Sequence, residues 1–302
     1  MPQTRSNPVD IVRRPLFESE TIRLGLFGAR PTTDACGEVE IQTMNALVLP
    51  LSGVFSKHDS PSRAVIGTPS HVVLVAADTP YRLSYPGAIG DRALTLRFDD
   101  ALAPEQVDVF GRETPASHGL LSADAMLLRN LLCARLAHGG PDPFAVEALA
   151  LDLLSASLQA LRGRRPGRSG AEARRTRAIE RVKEAVALAP AEKWTIARLA
   201  DIASLSPFHL CRVFRDMVGT SVYEYVLRQR LASALDAVCE GGADLTAIAL
   251  DFGFASHSHF TARFRGFFGC APTALRRVAG GAGHIADLRK IMTAPRSPLG
   301  IQ

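Results

Sequence analysis

The sequence predicts a two-domain α+β chain, an N-terminal β-barrel with two trailing helices followed by an all-α domain that holds two helix-turn-helix motifs. Three observations carry this. Short apolar segments broken by Gly, Pro, Asp and Ser clusters fill the stretch up to about residue 115, and after about Leu120 the hydrophobic period lengthens from two to near 3.6. The pattern Ser-x-x-His-(Leu or Phe)-x-x-x-Phe-Arg-x-x-x-Gly then runs from Ser206 to Gly219 and returns from Ser256 to Gly269, an offset of fifty residues. Each copy follows a short amphipathic helix and a tight turn, so the repeat describes two helix-turn-helix units.

The bulk properties agree with this division. A chain of 302 residues suits two domains, each with enough core to fold unaided. Residues 1–160 hold 13 Lys/Arg against 18 Asp/Glu, a balance of −5; residues 161–302 hold 22 against 12, a balance of +10. The basic half is thus the half with the repeat, as attraction to phosphates requires. Cys36, Cys133, Cys211, Cys239 and Cys270 are scattered and odd in number, which argues against a disulfide framework or zinc site and points to a reducing cytoplasm. MPQTRSNPVDIVRRP has no apolar core for export, and no run is expected to span a membrane.

Taken in order, Ile22–Leu26, Ala46–Phe55, His71–Ala76, Tyr81–Tyr85 and Ala93–Phe98 read as strands. In the last, Leu94, Leu96 and Phe98 alternate with Thr95 and Arg97, so one face is buried and one is not. A barrel of this kind can hold a small ligand. Catalytic signatures are missing: His58 and His71 stand on different segments without a His-x-His pair, and there is no nucleophile elbow, phosphate loop or dinucleotide fingerprint. No cofactor and no catalytic residue is assigned.

Two antiparallel helices are expected next. One has Met126, Leu127, Asn130, Leu131 and Ala134 on a stripe, the other Phe144, Leu149, Leu153 and Leu161, with Gly139, Gly140 and Pro141 between them. The second, rich in Leu, is a candidate dimer helix as well as a cover for the barrel. RGRRPGRSGAEARRT (162–176) carries no large apolar residue and reads as a solvated basic linker. The expected domains are therefore 1–162, linker 163–176, double helix-turn-helix domain 177–278 and a loose tail 279–302, with a short helix over 285–292.

Within the repeat the start and stop signals are dense. Ile179, Val182 and Val186 line a helix that ends at Pro190. Thr195 caps the first unit, whose Ile196, Leu199, Ala200 and Ala203 form an apolar face, and Ser206 with Pro207 opens the recognition helix. Leu210, Val213, Phe214 and Met217 are expected inward; Phe208, Cys211, Arg212 and Arg215 outward. Arg212 can grip a guanine and Arg215 a phosphate. Gly219 ends that helix, Ser221 and Glu224 form a capping box, and Leu227, Leu231, Ala234, Leu235 and Val238 line a connecting helix. In the second unit Asp244 and Ser256 are caps, Gly253 breaks the helix and Phe254 drops into the core. Ser258, Thr261, Ala262 and Arg265 are expected outward; Phe260, Phe264 and Phe268 inward. His257 and His259 lie two apart on a helix and point to different sides, so they are read as helix-start polar contacts, with no metal.

These residues resemble the AraC/XylS family of bacterial transcription regulators. The resemblance is carried by SLSPFHLCRVFRDMVGTS (204–221), YVLRQRLASAL (225–235) and IALDFGFASHSHFTARFRGFFGCAP (248–272), and in outline by LVLPLSGVFSKH (47–58) and DTPYRLSYP (78–86). It implies a cupin-like sensor and dimerisation domain, and base contacts from Phe208, Cys211 and Arg212 in the first unit and Ser258, His259 and Ala262 in the second. Ser206, Arg215, Ser256, Thr261, Arg263 and Arg265 are the candidates for phosphates or the groove edge. Ala262 stands where the family often has Arg, and Arg263 falls one place later, so the first unit is expected to read bases more strongly. The implied protein is a non-enzymatic cytoplasmic homodimer. It would activate transcription on promoter DNA, in contact with RNA polymerase and in response to a small-molecule effector. A cupin-type metal enzyme fused to a DNA-binding domain, and a dimeric regulator without an effector, are the alternatives.

Overall fold

Among the described residues nine strands form where the sequence predicts five, because several are polar edge strands without a clean alternation. The computed structural model describes residues 9–60, 63–99, 117–137, 139, 142–162 and 170–282. β1 (Val9–Glu18) and β2 (Ile22–Pro31) pair antiparallel, and a register shift between Pro15 and Phe17 accommodates the proline. The single segment expected over Ala46–Phe55 divides into β3 (Asn45–Gly53) and β4 (Phe55–Ser60). Gly53 has φ 77°, and a Cβ there would run into the Gly90 carbonyl oxygen, so this corner requires glycine. β5 (Arg63–Gly67), β6 (His71–Val75), β7 (Arg82–Ser84), β8 (Asp91–Phe98) and β9 (His118–Leu120) complete the set.

The strands form a six-stranded sheet in the order β1-β2-β8-β3-β6-β9 and a three-stranded sheet in the order β5-β4-β7. Among the described residues no strand pairing joins the two sheets into a closed barrel. β4 is already flanked on both sides, and β7 offers only three residues of edge.

The large sheet is buried on both faces, and its alternation decides what each face meets. Leu24, Leu47, Leu49, Val72, Leu94, Leu96 and Phe98 face the helices in one continuous core. Residues of opposite parity, including Phe27, Ala29, Val48 and Val73, face the small sheet with Phe55, Val65 and Tyr85. Asp91, Thr95 and Arg97 of β8 line the space left between the sheets. The apolar face of β8 therefore belongs to the helices, and its polar face is the one that lines the cavity.

Helices follow the expected stripes with specific exceptions. In α1 (Ala123–Ala137) Met126, Leu127, Asn130 and Leu131 are buried, and Ala134 is partly so. In α2 (Pro143–Leu161) Leu153 and Leu161 are buried with Val146, Ala150, Leu154 and Leu158, but Phe144 is 79% exposed, contrary to its expected place on the stripe. It sits in the first turn, before the helix reaches the sheet. By length and composition α2 is apolar enough to cross a membrane, which the sequence reading overlooked; it packs here as a core helix on α1 and the sheet. α3 runs from Gly170 to Leu188, so residues 170–176 of the expected linker are helical, while 163–169 lie outside the described residues. Five further helices follow α4 (Ile196–Ala203): α5 (Pro207–Val218), α6 (Val222–Glu240), α7 (Leu245–Asp251), α8 (His257–Phe268) and α9 (Pro272–Arg277). A π-turn over Val278–Ala282 buries Ala279 completely, so the start of the expected loose tail is core. The expected helix over 285–292 lies outside the described residues.

The β-region and the helix-turn-helix region share a core. Leu227, Leu231, Leu235 and Val238 of α6 join the cluster that holds the helix-facing side of the large sheet. Arg92 of β8 pairs with Asp236 at 2.5 Å and Glu240 at 2.7 Å. Beside it the fully buried Arg129 donates to the Pro50 and Pro69 carbonyls at 2.5 and 2.8 Å. A second polar seam runs from His71 Nδ1 to the Thr68 hydroxyl (2.7 Å), on to Gln229 (2.6 Å) and to the Tyr225 hydroxyl (2.8 Å). On α3, Glu180 accepts from the Ile66 amide at 2.9 Å and from Lys183 at 2.8 Å. Burial pushes its carboxyl upward, but Lys183 and His118 outweigh that and hold it below its usual range.

Candidate nucleic-acid interface

The first unit is built from α4 and α5. The Thr195 side chain accepts from the Arg198 amide at 3.2 Å, and Leu199, Ala200 and Ala203 turn inward. Ser204 then takes a left-handed conformation (φ 56°), unusual for a side chain with a Cβ and costing about 1 kcal/mol. Ser206 caps α5 by accepting from the His209 amide at 3.3 Å, with Pro207 in the first turn. Leu210, Val213 and Phe214 are buried, whereas Met217 is 37% exposed rather than inward, because the last turn of α5 has left the core. Phe208 is 80% exposed, and Cys211, Arg212 and Arg215 are exposed with it. The predicted base-reading residues of this unit thus share an open face at the N-terminal half of the helix.

The second unit repeats this architecture with one more residue in its turn. Leu205 and Phe254 occupy matching positions, each amide bonding five residues back, to Ala200 and Ala249 respectively at 2.9 Å. Ser206 follows Leu205 directly, whereas Ala255 intervenes before Ser256. The left-handed position is Gly253 here, and its backbone lies so close to Ala191 that a Cβ would sit 2.6 Å from the Ala191 carbonyl oxygen. Asp244 caps α7 through the Thr246 and Ala247 amides (2.9 and 3.3 Å), and Ser256 caps α8 through the His259 amide (3.2 Å).

On α8 the rings of Phe260, Phe264 and Phe268 run inward in series at 5.4 and 4.6 Å, with Phe267 also buried. Ser258, His259, Ala262 and Arg265 are exposed. Thr261 departs from its expected place: it is half-buried, with its hydroxyl sealed from water, since it follows Phe260 and leans toward the same core. His259 has the Ala255 amide 3.4 Å from Nδ1 and Arg263 Nε 3.4 Å from Nε2, and its neutral ring can accept from one of these two donors at a time. Burial first, and then the charges of Arg263 and Arg230, hold the His259 imidazole below its ordinary value. His257 is half-buried beside it, and His58 and His71 sit on different sheets, bonded to Ser84 (2.8 Å) and Thr68 (2.7 Å).

Two groups of arginines escaped the sequence reading. Arg230, near the middle of α6, donates to the carbonyls of Pro190 and Glu192 at 2.8 Å and of Gly253 at 3.0 Å. It ties the loop that leads into the first unit to the turn of the second. Arg276 does similar work at the other end, donating to the Ala243 carbonyl at 2.8 Å. The second group is Arg174, Arg175 and Arg177 on α3, exposed around a groove beside Ser204 and Leu205. Arg181 closes this groove against the Ile202 and Ala203 carbonyls, both at 3.0 Å. The charge run in 162–176 was the available signal for these; for Arg230 the local pattern offered none.

Two exposed helix faces, each opened by a serine cap and joined by one long helix, define a double helix-turn-helix nucleic-acid-binding domain. Residues 199–278 match the model of the helix-turn-helix domain family. The chain is 36% identical over 88 residues to a Streptomyces lividans protein named as an AraC-like transcription regulator, 29% of each chain. It is also 36% identical over 81 residues to the HTH-type transcriptional activator AarP of Providencia stuartii, 26% of this chain and 60% of that one. A solved AraC-type regulator from Chromobacterium violaceum aligns at 23% identity over 36% of this chain and 96% of its own, with a TM-score of 0.34. The C-terminal domain of this chain is an AraC-type helix-turn-helix domain. The match spans 29%, 30% and 33% of the first three curated relatives.

Proposed function

We propose that this chain is a sequence-specific DNA-binding regulator of transcription, an activator that answers to a small molecule. The observation that carries the reading is the pairing of two exposed recognition faces, on α5 and α8, joined by α6 and tied through Arg230. Residues 177–278 would bind promoter DNA and present RNA polymerase with a bound activator. Residues 1–162, as a cupin-like sensor, would bind the effector and dimerise in the cytoplasm. Phe208, Cys211 and Arg212 are assigned to bases, with Ser258, His259 and Ala262 as weaker readers. Ser206, Arg215, Ser256, Arg263 and Arg265 are assigned to phosphates or the groove edge, joined by Arg174, Arg175 and Arg177. Thr261 contributes least, since its hydroxyl is sealed.

The test is a binding site selected from random duplexes, followed by fluorescence anisotropy on single-base variants of it. Arg212→Ala is expected to cost about 1–3 kcal/mol and to relax discrimination at one base pair, while Arg215→Ala weakens every duplex alike. Binding indifferent to Arg212, or specificity that survives its loss, would remove the assignment. For the dimer, Phe144, Ala148 and Leu151 form the exposed side of α2. Leu151→Arg is expected to convert a dimer to monomer in sedimentation velocity, and a sedimentation coefficient that does not change sinks this interface.

A further inference from the structure

We propose that the space between the two sheets binds a small organic cation, a primary amine or guanidine on an apolar or aromatic body, with the Asp91 carboxylate as counter-ion. The proposal rests on the effector-responsive reading above and names the chemical class of that effector.

The enclosed part of the space is small, about 50 Å³, and it reaches about 500 Å³ only when its open side is counted. Asp91 lines it, is only 7% exposed, and neither carboxylate oxygen has a hydrogen-bond partner among the described residues. An uncompensated buried carboxylate is costly, and native structures retain one where something else satisfies it. Other side chains in the space already bond one another. The Tyr81 hydroxyl donates to Glu40 at 3.1 Å and accepts from Gln42 at 2.9 Å, which leaves Asp91 as the open acceptor.

The walls suit a cation. Phe27, Phe55 and Tyr81 present rings to the space, and two of these already carry a positive group, Arg13 at 5.6 Å from the Phe27 centroid and Lys57 at 5.8 Å from that of Tyr81. Arg13 is exposed and Arg97 half-exposed, so both arginines are solvated, whereas the acid is buried. An ammonium or guanidinium would supply both the donors and the charge that Asp91 lacks. A neutral hydroxyl supplies donors only, and a carboxylate would meet Asp91 across a water-poor gap.

The test uses the full-length protein with n-butylamine and benzylamine, their alcohols, and butyrate and benzoate as probes, read by thermal shift and titration calorimetry. The amines are expected to raise Tm saturably and bind stoichiometrically, and Asp91→Asn to weaken them at least roughly tenfold. Arg13→Leu is expected to leave amine binding unchanged or tighter. The proposal falls if no amine binds, if the alcohols or carboxylates bind as tightly, if folded Asp91→Asn binds amines like the wild type, or if Arg13→Leu weakens them. Anisotropy on duplex DNA without amine is run alongside. DNA binding with no amine binding removes only the proposal. Amine binding at Asp91 in a protein that binds no DNA removes the regulator reading and leaves the site.

Discussion

Asp91 carries a consequence for pH. Burial pushes its carboxyl from an ordinary value of 3.8 up to about 7. Between those values the native state keeps a proton that the unfolded chain releases. The associated stability is complete below about pH 4 and is lost as pH rises through 7. A shift of about three units corresponds to at most about 4 kcal/mol. Asp91→Asn, which stays neutral, should therefore gain stability over the wild type as pH is raised, by about 2–4 kcal/mol above pH 7. Urea melts at pH 5 and pH 8 check this, and a difference that does not grow with pH contradicts it. Neighbouring Arg92 shows how little separates the two faces of a strand: one residue along, the side chain leaves the cavity and pairs with Asp236. The sequence showed both residues as ordinary charged positions, since nothing local marks a charge as sealed or paired.

At the scale of elements, the helix-turn-helix units were legible almost to the residue. Caps at Thr195, Ser206, Ser221, Asp244 and Ser256, and left-handed ends at Gly219, Gly253 and Gly269, all formed where the local signals stand. These act within four residues, so sequence alone specifies them. Arg230 is the contrary case, because its three acceptors lie 23 to 40 residues away. Arg230→Ala should cost about 1–3 kcal/mol by leaving those carbonyls without their donor. It should also reduce affinity for a two-site duplex more than for an isolated half-site, because the spacing of the units is no longer held. Equal losses on both duplexes would show that Arg230 contributes only stability. The strands were less legible: β1, β5 and β9 are short or polar edges whose pairing depends on distant partners.

Across the whole molecule, the large sheet stands between the cavity and α6, the helix that joins the two DNA-binding units. A change in β8 can thus reach α6 through the Arg92–Asp236 contact and the shared apolar core. Such coupling requires an effector to favour one arrangement of the contact over another. Arg92→Leu should cost about 1 kcal/mol, discounted because the guanidinium is partly exposed, and should raise amide exchange in the C-terminal half of α6. Exchange in α6 that matches the wild type would show that the ion pair does not hold the helix. The sequence by itself determined the helical units, their caps and their inward stripes, because the 3.6-residue period and capping chemistry are local. It also marked β8 as two-faced. Tertiary structure alone decided that the apolar face meets the DNA-binding half and the polar face meets the cavity, since alternation distinguishes two sides of a strand but carries no record of what is packed against each.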